Sequence, residues 1–140
     1  MARYPGLTLR ILADRQPAMG PGKARLVAAI DATGSISAAA RSMGMSYRRA
    51  WQLVDALNES FSRPVVLTAT GGKRGGGAVV TALGRRLVKL FGVMEDKASS
   101  AIAGDLRNFS RHLRKASGGR AERRSVRIKP SGPASRPRAT

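Results

Sequence analysis

Residues 34–58 read GSISAAARSMGMSYRRAWQLVDALN. Two short helices are written there, joined by a glycine turn. Gly34 stands where the left-handed C-terminal cap of a preceding helix falls. Ser35 can then cap a helix over about 36–43. That helix is rich in alanine (Ala38, Ala39, Ala40), and Gly44 marks its end, because the turn needs a residue that tolerates positive φ. Ser46 can cap a third helix running to about Ser60. Its apolar positions, Ala50, Leu53, Val54, Leu57 and Phe61, recur at steps of three and four and form one helical stripe. Ala40 supplies the small residue a close helix crossing requires. Ala39, Met43, Met45, Ala50 and Leu53 fall where a helix-turn-helix starting near Ile36 wants its internal contacts.

An ordinary helical hairpin would satisfy the same rules, so the exposed face decides. Arg48, Gln52, Asp55 and Glu59 point away from the apolar stripe, with Arg49 on its flank. The cations sit at the N-terminal end and the acids at the C-terminal end. A recognition helix inserts its N-terminal turns into the major groove, and Arg with guanine and Gln with adenine are the standard bidentate pairs. Arg48, Arg49 and Gln52 are therefore candidate DNA contacts, with Ser37, Ser46 and Tyr47 beside them. Trp51 reads as a packing residue at the core edge.

Downstream, Pro64 blocks further helix. Val65–Thr70 reads as a strand rich in β-branched residues, and Ala78–Thr81 as its return. Between them lies GGKRGGG, residues 71–77. It is not an ATPase phosphate loop: Lys73 is followed by Arg74, not Ser or Thr, and a strand follows instead of a helix. As a hairpin tip it makes a wing. Its glycines let the backbone approach a phosphate, and Thr70, Lys73 and Arg74 are candidate backbone contacts, which position a protein more than they read sequence.

Upstream, residues 7–13 and 16–19 suggest a short hairpin turning at Asp14-Arg15. A helix over about 22–33 follows, with Leu26, Val27 and Ile30 at helical spacing. After the wing, Thr81 can cap a long helix. Leu83, Leu87, Leu90, Met94, Ala98 and Ala101 or Ile102 recur along it, and Leu106, Phe109 and Leu113 extend the stripe. Gly92 and Gly104 each weaken that helix by roughly 1 kcal/mol relative to Ala, so it can bend or break there.

Charge narrows the partners. Lys plus Arg number 26 and Asp plus Glu 8, a net +18 over 140 residues. From Arg114 onward nine cations face one acid, Glu122, so +8 belongs to that tail and +10 to the first 113 residues. A charge so large favours a polyanionic partner, with nucleic acid first. The absence of cysteine excludes disulfides and thiolate metal sites. No apolar run approaches the ~20 residues needed to cross a bilayer, and no signal-peptide core is present, so no membrane partner and a cytoplasmic location are expected. His112 is the single histidine and the acids are scattered. No nucleophile–base pair or metal cluster emerges, so neither catalysis nor a cofactor is expected.

Taken with the wing motif TATGGKRGGGAVVTALGRRLV (residues 68–88), the run opening at Gly34 resembles the N-terminal DNA-binding domain of the ModE-type molybdate-responsive regulators, a relative of the LysR-type winged helix. The likeness spans about residues 7–105. Its specific part is the combination of Ser46-Tyr47, Ala50-Trp51 and the glycine-rich wing. The resemblance implies a homodimer formed largely by the helix after the wing, and Leu87, Leu90, Met94, Ile102 and Leu106 are the residues expected to pair. Full-length members of that family carry C-terminal domains that bind molybdate or tungstate. No such domain fits in the residues left here, so no molybdate site is expected within this chain.

The resulting expectation is a mainly α fold with small β hairpins. Residues 1–113 should form a winged helix-turn-helix with a dimerisation helix over about 82–113, and residues 114–140 a basic disordered tail. The expected function is a transcriptional regulator binding double-stranded DNA. The alternative is a nonspecific nucleoid-associated protein with the same fold.

Overall fold

The computed structural model describes residues 6–14, 16–69 and 77–114. It opens with an antiparallel hairpin, β1 (Ile11–Ala13) and β2 (Gln16–Met19). Ile11 pairs with Met19 and Ala13 with Gln16, with an irregularity between Ile11 and Leu12. Asp14 turns the chain at a φ of 48°, a left-handed value that short polar residues tolerate.

Helix α1 (Pro21–Thr33) starts on a proline, whose missing N–H would have had no helical acceptor anyway. It buries Leu26, Val27 and Ile30. Gly34 closes it at φ 69°, donating its N–H to the Ile30 carbonyl at 2.7 Å. Helices α2 (Ile36–Ser42) and α3 (Tyr47–Ser60) follow, each with the serine cap the sequence called for. The Ser35 hydroxyl accepts from the Ala38 N–H at 3.1 Å, and the Ser46 hydroxyl from the Arg49 N–H at 3.1 Å.

The turn between α2 and α3 is a Schellman motif. The Met45 N–H donates to the Ala40 carbonyl at 3.0 Å and the Gly44 N–H to the Arg41 carbonyl at 3.2 Å. Gly44 stands at φ 65°, the left-handed residue such a cap requires. Ala39, Ala40 and Ala50 are buried where the two helices cross, and Met43 and Met45 pack partly against the same core.

Strands β3 (Val66–Thr68) and β4 (Ala78–Val80) form the wing, paired Val66 with Val80 and Thr68 with Ala78. They are shorter than the sequence suggests. The Val65 carbonyl still accepts from the Thr81 N–H at 3.0 Å, in register with the ladder, while its N–H donates to the Asn58 side-chain oxygen at 2.8 Å. Asn58 also accepts from the Val66 N–H at 3.1 Å and donates to the Val66 carbonyl at 2.9 Å, so one amide ties α3 to the wing. On the other side, the Ala78 N–H donates to the Gly34 carbonyl at 2.9 Å, joining β4 to the corner between α1 and α2.

Thr81 caps α4 (Ala82–Ala101) by accepting from the Gly84 N–H at 3.0 Å, and its hydroxyl donates to the Pro64 carbonyl at 2.8 Å. The inner face of α4 overlaps the leucine stripe only in part. Gly84 and Phe91 are buried, and Leu87 and Val88 pack partly on the core. Gly84 allows that approach: a Cβ there would lie 2.6 Å from the Val65 carbonyl oxygen and 2.8 Å from Val80 Cγ1. An exposed ion pair between Arg85 and Asp31, at 3.1 Å, also links α4 to α1.

The long helix breaks once. Ile102, at φ −103° and ψ 8°, separates α4 from α5 (Ala103–Ser110). The break falls two residues before Gly104, one of the two weak points foreseen, while Gly92 remains inside continuous helix. No residue of α5 is buried. Among the described residues, no helix is long and apolar enough to cross a membrane.

Candidate nucleic-acid interface

The first turns of α3 gather most of the candidate DNA contacts. Ser46 caps the helix, and Tyr47, Arg48, Arg49 and Gln52 stand exposed on the turns after it. Ser37 is exposed on the first turn of α2. Among the described residues, the side chains of Arg48, Arg49 and Gln52 make no hydrogen bond or ion pair. Their donors are free for an outside acceptor. Asp55 and Glu59 are exposed further along, so α3 is basic at its start and acidic toward its end.

The backbone beneath these side chains is rigid for local reasons. The Schellman turn fixes where α3 begins, the Ser46 cap satisfies one of its free N–H groups, and Ala50, Val54 and Leu57 anchor its inner face. Trp51 packs partly on the core, as its position at the edge of the apolar arc predicts. Tyr47, 56% exposed, meets it edge-on, with ring centroids 6.1 Å apart at 84°. That contact holds the Tyr47 ring against α3.

Thr70, Lys73 and Arg74 lie outside the described residues. The strands on either side of them, β3 and β4, are described, and β4 is joined to the α1–α2 corner through Ala78 and Gly34. Of the residues assigned to dimerisation, Leu90 and Met94 are exposed on α4, while Ile102 and Leu106 are half-buried. Leu87 departs from the expectation in part, because it packs against its own core.

Residues 22–85 match the bacterial regulatory helix-turn-helix protein, lysR family. The matched stretch begins in α1 and ends in α4, taking in the helix-turn-helix and the wing. The chain carries a LysR-type helix-turn-helix domain. Its N-terminal region is homologous to molybdenum-related proteins. It is 46% identical over 95 residues to the molybdenum-pterin-binding protein MopB of Rhodobacter capsulatus, covering 68% of this chain and 34% of that protein. To the molybdenum transport protein ModE of Azotobacter vinelandii it is 35% identical over 106 residues, 76% of this chain and 38% of that protein. To the DNA-binding transcriptional dual regulator ModE of Escherichia coli K12 it is 38% identical over 88 residues, 61% and 34% respectively. The chain thus spans about a third of the length of these curated relatives. Among solved structures, ArgP from Mycobacterium tuberculosis aligns with a TM-score of 0.44 at 24% identity, over 62% of this chain and 30% of that one.

Two residues of the LysR-type domain matter to the site and carry no sequence motif. Asn58 fastens the wing to α3 and sits inside what reads as the tail of an amphipathic helix. Lys23, on the first turn of α1, donates from its ammonium to the Pro17 carbonyl. Burial first, and the charge of Arg49 second, hold its pKa below the ordinary lysine value. A cation in the first turn works against the helix dipole. That was the one sequence signal available for it.

Proposed function

We propose that this protein is a transcriptional regulator that binds double-stranded DNA as a homodimer. In this reading α3 enters the major groove, Arg48 and Gln52 read base edges, and Tyr47 and Arg49 contact the backbone beside them. Ser37 and Ser46 add hydroxyls at the helix starts, and Thr70, Lys73 and Arg74 hold the neighbouring backbone from the wing. The observation that carries the reading is the start of α3: a capped, anchored helix end presenting Arg48, Arg49 and Gln52 with no partner among the described residues. The match to the lysR family and the regulator named among the relatives support it. The exposed apolar side chains Leu90, Val93 and Met94 on α4 support the dimer, since positions three and four apart share a helix face and no other part of the described chain covers them.

The test is binding to the DNA upstream of the protein's own gene against random duplex, at about 50 and about 200 mM salt. A preference of ~10³ or more that persists at the higher salt is the expected result. Equal and steeply salt-sensitive binding to both duplexes would instead mark a nonspecific DNA coater. Failure to bind either one would remove the DNA-binding reading.

A further inference from the structure

Side chains on a sheet with one face on the core alternate, apolar inward and polar outward. The wing keeps only half of that rule. Val66 and Val80 face the core, each 2% exposed. The outward positions beside them, Leu67 and Val79, are 53% and 61% exposed and stand directly opposite each other in the ladder. Two large apolar side chains thus share the outer face of β3 and β4, where the fold gives them no core to cover.

Leu67 also lines a groove of about 360 Å³ at the base of the wing, with Arg63, Pro64, Ala82, Leu83 and Arg86. The Thr81 hydroxyl on its wall is already engaged, donating to the Pro64 carbonyl and accepting from the Gly84 N–H. What the groove offers a visitor is an apolar surface and two guanidinium groups, one from the loop after α3 and one from α4. Both arginines are exposed, and the ion pair among the described residues is Arg85 with Asp31, so neither has a carboxylate there.

DNA is not the visitor that the placement favours. The Val66–Val80 end of the ladder joins Pro64 and Thr81, while the Thr68–Ala78 end leads on to Thr70, Lys73 and Arg74. Helix α3 spans about 20 Å at 1.5 Å per residue, with Ser46 capping its start and Arg63 beyond its end. The groove therefore lies apart from the candidate DNA contacts. Charge disfavours a second copy. The exposed apolar side chains of α4 and α5 fall in the stretch from Lys89 to Arg114, which holds five cations and three acids, so seating it here would bring like charges together. We propose that this groove docks an acidic segment of a partner protein, whose apolar side chains cover Pro64, Leu67 and Leu83 and whose carboxylates meet Arg63 and Arg86. Guanidinium grips a carboxylate through two parallel N–H donors. The docking leaves α3 free, and it goes beyond the DNA-binding reading without resting on it.

The experiment follows the backbone amide signals of the full chain by nuclear magnetic resonance as a short peptide of Leu and Phe interspersed with Asp and Glu is added. Its control is the same peptide with Asn and Gln in place of Asp and Glu. The acidic peptide should move the signals of Leu67, Val79 and Leu83, and the control should not. Arg63→Glu combined with Arg86→Glu should weaken binding by about tenfold. Leu67→Thr, which keeps a strand-forming residue, should weaken it by about fivefold. Should the double variant melt well below wild type, Leu67→Thr decides. Shifts confined to the first turns of α3 or to residues beyond Arg114 would show attraction to charge alone and overturn the docking site, as would a peptide that moves nothing. A dimer that Leu67→Thr splits into monomers in sedimentation would give the groove to a second copy and overturn the proposal in that way.

Discussion

Around Val65, three short contacts decide whether the wing stands at the right angle to α3. The Asn58 amide holds the N–H groups of Val65 and Val66 and the Val66 carbonyl. Asn58→Ala leaves those groups without partners in a part-buried site, and should cost about 2 kcal/mol, read as a lower urea midpoint at unchanged slope. Gly84→Ala would press a methyl group against the Val65 carbonyl and Val80, and should lower the unfolding free energy by about 1–3 kcal/mol. On the DNA side, Arg48→Ala should relax the preference for the specific site while leaving random-duplex binding nearly intact. An equal loss on both duplexes would show that Arg48 reads no base. The caps at Ser35, Ser46 and Thr81 were legible in the sequence because a cap and the N–H that donates to it lie three residues apart. Asn58 and Gly84 were not legible, since each acts on backbone that only the folded chain brings near.

Neighbouring residues on one element can serve opposite ends, and α4 shows it. Leu90 is 52% exposed and Phe91 is 3% exposed. The leucine stripe read from the sequence shares Leu87 with the core face, runs outward at Leu90 and Met94, and passes over Phe91. Periodicity reports that a helix has an apolar side, but α4 has two, one for its own core and one left open, and spacing alone cannot say which is which. Phe91→Ala should destabilise the fold by about 3–5 kcal/mol. Leu90→Glu should leave the melting midpoint nearly unchanged and shift the species seen in sedimentation from dimer to monomer. A Leu90→Glu protein that remains dimeric would place the pairing surface elsewhere, with α5 next, since none of its residues is buried. Gly104 marks a weak point in the sequence, and the break falls two residues before it, at Ile102, which carries no signal of its own.

For the molecule as a whole, the DNA-binding reading makes charge set the affinity and geometry the choice of site. Eight of the 26 cations lie beyond Arg114. A chain cut after Arg114 should bind all DNA more weakly and with a shallower salt dependence, yet keep its ratio of specific to random affinity. A fallen ratio would assign the tail a part in site recognition. The hydrogen bond from Ala78 to Gly34 bears on geometry in another way. It rivets the returning strand of the wing to the corner from which α2 departs, and the Schellman turn carries that corner on to α3. On the DNA-binding reading, an operator lengthened by a single base pair between the stretch held by the helix and the stretch held by the wing should bind more weakly, because among the described residues hydrogen bonds fix β4 to the corner that leads on to α3.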